Sequence, residues 1–116
     1  MRTVLIKMKT QPDPSVVHVA KKYWKFYEAI SPDKWCVGDY ERGDQACAVQ
    51  HIRRHQQEAH RNSTTSDLDI FELEELLIDV GNPITINDGH WLLDKPVPSH
   101  PRDRILAALK LVMGAS

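Results

Sequence analysis

The chain has 116 residues, 41% of them hydrophobic and 27% charged, with a formal net charge of -1. That length suits one domain able to bury roughly two thirds of its unfolded surface, and that composition excludes an intrinsically disordered chain. Near-neutral charge argues against a duplex-coating nucleic-acid binder, which needs a basic excess, and two cysteines read as reduced core thiols of a cytoplasmic protein rather than a disulfide framework.

Residues 3–9, Thr-Val-Leu-Ile-Lys-Met-Lys, are rich in strand formers and end in alternation, which predicts a short strand with no obvious partner. The apolar run there is three residues long, too short for a signal-peptide core or a membrane span. Asp13-Pro14 is a helix cap followed by a first-turn proline, and Val16, Ala20, Tyr23, Tyr27 and Ile30 recur at helical spacing up to Ser31-Pro32. Trp35 to Gly43 carries two glycines and no helical period, so it is expected to be a loop or a tight turn packed by its aromatics.

Asp44 is expected to cap a second helix from about Gln45 to Arg61, with a narrow apolar side (Cys47, Ala48, Ile52, Ala59) and a polar second half that projects from the body. After a polar loop at 62–66, Ser66 is the expected cap of a third helix. Its stripe is Ile70, Leu73, Leu77 and Val80, and its end is Gly81. Asn82-Pro83 breaks that pattern, residues 84–89 predict a short extended piece ending in a turn, and 95–101 is a proline-rich approach. Pro101 opens a last helix that turns Ile105, Leu106, Leu109, Val112 and Met113 inward. The expected fold is mostly α: a single domain, 1–116, built as a compact bundle of about four helices with one or two short extended segments.

Charge is unevenly placed. Residues 1–62 hold 11 Lys+Arg against 7 Asp+Glu, and residues 63–116 hold 4 against 9, so the halves should attract one another or attract different partners. The acids concentrate on the third helix, where Glu72, Glu75 and Asp79 are candidate contacts for a basic protein partner. Arg53 and Arg54 make the second helix a candidate phosphate contact, against the plainer reading of a solvated face.

Cys47, His51 and His55 share one helix face, but eight residues at 1.5 Å rise separate Cys47 from His55 by about 12 Å, too far for one metal ion. A zinc site would therefore need Cys47 and His51 completed by Cys36 and His90; the alternative is no cofactor, with a reduced core Cys47. His51-Ile-Arg-Arg-His55 lacks the glutamate that a metalloprotease helix uses as its base, and the five glycines never form a phosphate-cradling loop. Cys36 with His90 would serve as nucleophile and base only if the fold joined them.

Lys34-Trp35-Cys36-Val37-Gly38, then Cys47-Ala48-Val49, then Ile86-Asn87-Asp88 and a closing helix at 103–110 resemble a family of small bacterial and phage proteins of unknown function. In that family a Trp-containing turn precedes a Cys-Ala-x-Gly-Ala helix start, and Trp-Asn-Asp precedes a final helix. The resemblance spans about residues 20–112, with Gln50 and His51 where the family has small residues and Ile86 where it has Trp. It implies a bacterial or phage origin and no activity. The expected function is that of a non-enzymatic interaction protein that binds a host protein through charged helical faces. The alternative is a small ligand-binding domain or enzyme with its site between the Trp35-Cys36 loop and the turn at 87–91.

Overall fold

A computed structural model describes residues 13–114. The strand expected at 3–9 lies outside the described residues. Those described are mostly helical: α1 (Pro14–Glu28), α2 (Ala48–Arg61), α3 (Ile70–Leu76), α4 (Pro83–Asn87) and α5 (Pro101–Val112), with a 3-10 turn at Pro32–Lys34. The one sheet described is a hairpin of β1 (Glu41–Arg42) and β2 (Gln45–Ala46), antiparallel, with Glu41 opposite Ala46.

α1 starts where its sequence says: the Asp13 carboxylate accepts Ser15 N at 2.8 Å and Pro14 sits in the first turn. Ala20, Tyr23 and Tyr27 are fully buried on one side and pack along α5, which buries Ile105, Leu106, Ala108 and Leu109. Leu73, Leu77 and Ile86, each with 0% exposure, complete that core from α3 and α4. Deleting any one of these large side chains typically costs about 2–5 kcal/mol.

Three expectations about element ends are corrected. α2 starts at Ala48, not Gln45, because Asp44 turns away to pair with Lys34 while Gln45 and Ala46 pair with β1. α3 starts after Asp69, whose carboxylate accepts Phe71 N at 2.9 Å; Ser66 instead accepts Leu68 N in the preceding loop. It also stops at Leu76, so Leu77 and Val80 reach the core from turns. The third correction is residues 84–89, which are not extended. Asn82 accepts Ile84 N at 2.9 Å, Pro83 fills the first turn, and α4 runs to Asn87.

Candidate functional site

Residues from the turn at 36–38, the start of α2, α4 and α5 meet around one side chain. Asn87, fully buried at the end of α4, accepts Ala48 N at 3.0 Å and donates to Cys36 O at 2.9 Å. It thereby caps α2 from a distant part of the chain, at a helix start where Cys47 makes no side-chain cap. Gly38 N donates to Asp88 at 3.0 Å beside it, and Asn87 O accepts two bonds from Arg104, at 3.1 and 2.8 Å. Arg104 spends a third donor on Pro98 O at 3.1 Å; burial lowers the pKa of this cation, and the nearby Asp88 charge opposes that shift. The Trp35-Cys36 loop and the turn at 87–91 are thus bonded to each other through Asn87 and Asp88.

The metal candidates are similarly engaged. His51 lies buried against the Trp35 ring, centroids 4.9 Å apart, and its Nε2 donates to Lys34 O at 2.9 Å. Burial pushes its pKa down to about 4, so the ring is neutral at physiological pH. Cys36 and Cys47 are buried and free; burial, then the neighbouring Cys47, raises the Cys36 thiol. His90 is exposed. Among the described residues no three His, Cys, Asp or Glu side chains gather into a group that could hold a metal ion.

The arginines have local work. Arg54 donates to Asp44 O at 3.0 Å and Gln45 O at 3.3 Å, bracing the hairpin, and Arg53 lies over the Tyr40 ring, 5.2 Å from its centroid. Of the acids, Glu72 bonds both Lys22 Nζ and the Tyr23 hydroxyl at 2.7 Å, and these two bonds, Lys22 first, hold its pKa below the usual carboxylate range. This pair is the one described ion pair that joins the basic and acidic halves of the chain.

Glu75 and Asp79 have no ion-pair partner among the described residues. Both line a groove of about 910 Å³ between the start of α1, α3 with its following turn, and the end of α5. Val16 and Val19 form one wall, Leu76 and Val80 another, and Leu111 and Val112 a third, while Lys95 is its one cation among the described residues. Ile78, 67% exposed, forms the lip that this groove shares with a second depression of about 560 Å³, where His90, Trp91 and Leu92 lie. An apolar floor with carboxylates at the edge suits an apolar segment carrying cations. The acidic candidates pointed here, but the groove itself, assembled from four separate stretches, had no local signal in the sequence.

No described helix is long and apolar enough to cross a membrane. Comparison with models of known protein families, with curated proteins and with solved structures gives no match.

Proposed function

We propose that this protein is a non-enzymatic interaction module whose groove between α1, α3 and α5 receives an apolar, basic segment of a partner protein. The observation that carries the reading is the pairing of that apolar groove with Glu75 and Asp79, two carboxylates without an ion pair among the described residues. Binding there desolvates little that is already bonded, since Glu72 keeps Lys22 and the cations of the partner meet Glu75 and Asp79. Rim charges of this kind set association rate and salt dependence, while the apolar floor supplies most of the affinity.

The test is affinity capture with the wild-type chain and with Glu75→Lys/Asp79→Lys, after equal thermal melting of both has been established. A partner retained by wild type, released by salt and lost by the variant is the expected result. Identical proteins on both columns would refute the reading.

A further inference from the structure

We infer that Cys36 and Cys47 are an oxidative modification site, closing to an intramolecular disulfide in the presence of a small-molecule disulfide and so tying the Trp35-Cys36 loop to the head of α2. Two independent contacts bring the residues together. Ala46 forms a parallel bridge with Trp35, and Ala46 O accepts Cys36 N at 3.2 Å. Trp35 and Cys47 both have extended backbones, so one residue further in that register Cys36 faces Cys47. Facing residues on neighbouring strands lie about 4.8 Å apart with their side chains on one face, within the Cα separation of about 4.4–6.8 Å that a disulfide spans. The second contact is the Asn87 amide, which clamps the same two segments by donating to Cys36 O at 2.9 Å and accepting Ala48 N at 3.0 Å.

Neither thiol has a competing role. Both are free, Cys36 Sγ donates only a weak bond to Asp39 O at 3.4 Å, and Cys47 makes no side-chain cap on α2. The Cys47 charge is near enough to raise the Cys36 thiol, second to burial. Cys36 is 5% exposed against 2% for Cys47, and exposed residues 37–44 follow it, so Cys36 meets the oxidant first. Its thiol gives a proton to solvent, and the thiolate attacks one sulfur of the small disulfide RSSR, breaking that S–S bond and releasing RS⁻, which takes up a proton. Cys47, deprotonated in turn, attacks the Cys36 sulfur and releases the second RS⁻. Two electrons pass from the protein thiols to RSSR, which leaves as two RSH. Burial makes the first attack slow, while the register makes the product stable.

The experiment equilibrates the full chain with reduced and oxidised glutathione at graded ratios, once in native buffer and once in denaturant, then quenches with acid, blocks the remaining thiols and reads the species by mass spectrometry. The expected product is a monomer lighter by two hydrogens, whose digest carries Cys36 joined to Cys47. A ring closed over ten intervening residues and held in register by the fold should make the equilibrium constant about a hundredfold larger in the native protein than in the denatured chain. The oxidised protein should then melt above the reduced one. A native constant no larger than the denatured one overturns the inference, as does an oxidised protein that melts at or below the reduced one. Native protein that accumulates glutathione on Cys36 alone, or disulfide-linked dimers, overturns it as well.

Discussion

Replacing Asn87 by alanine should take away a large part of the stability of this fold, although no charge and few atoms are lost. The side chain is fully buried and serves Ala48 N at 3.0 Å and Cys36 O at 2.9 Å. Alanine leaves both backbone groups without a partner in the interior, where each typically costs about 1–3 kcal/mol, and the vacated volume adds to that. The expected loss is about 3–5 kcal/mol, a third or more of the total for a marginally stable domain. Denaturant unfolding should show a lower midpoint at an unchanged slope. Amide exchange gives the sharper test, because the Ala48 amide should exchange far faster in the variant than does the rest of α2. Asn82→Ala is the comparison, since it removes a cap that is local to α4 and should cost about 0.5–2 kcal/mol. A loss below about 1 kcal/mol for Asn87→Ala, or an Ala48 amide that stays protected, would refute the reasoning.

Two further outcomes follow from burial. His51 is held near pKa 4 in the fold against an ordinary value of 6.5, so between those values the unfolded chain takes up a proton that the folded chain refuses. Its contribution to stability is therefore complete above pH 6.5 and lost as pH falls toward 4. Its ring protons in an NMR titration should move near pH 4, and a midpoint above 6 would contradict the burial. Cys36 and Cys47, with 5% and 2% exposure, should resist a thiol reagent in the native protein and react together on unfolding; rapid native labelling of Cys36 would show that its loop opens.

Much of the helical frame was legible from the sequence because its signals are local. Asp13-Pro14 and Pro101 mark helix starts within one turn, and the stripes Ala20, Tyr23, Tyr27 and Ile105, Leu106, Leu109 are the buried faces that the structure shows. α4 is hidden in the sequence because Ile84-Thr85-Ile86 alternates β-branched residues like a strand, whereas the Asn82 cap and Pro83 decide for helix. Asp44 looked like a cap for α2, but its salt bridge to Lys34 and the hairpin outcompeted that role. Asn87, two residues ahead of Gly89, has the local signature of an ordinary turn residue. Nothing in its neighbourhood reveals that its partners stand 39 and 51 residues earlier. The acids of α3 were legible as charge, and which of them stay available depended on Lys22, fifty residues away.

The distant bonds of Asn87 also bear on synthesis. On a ribosome the chain emerges in order, so the hairpin and the head of α2 are made well before the residue that completes them. Until position 87 has cleared the exit tunnel, Ala48 N–H and Cys36 C=O can bond only water or a chaperone, and Arg104, which grips the carbonyl of Asn87, arrives later still. The first three quarters of the chain are thus an unfinished product until Asn87 has left the tunnel.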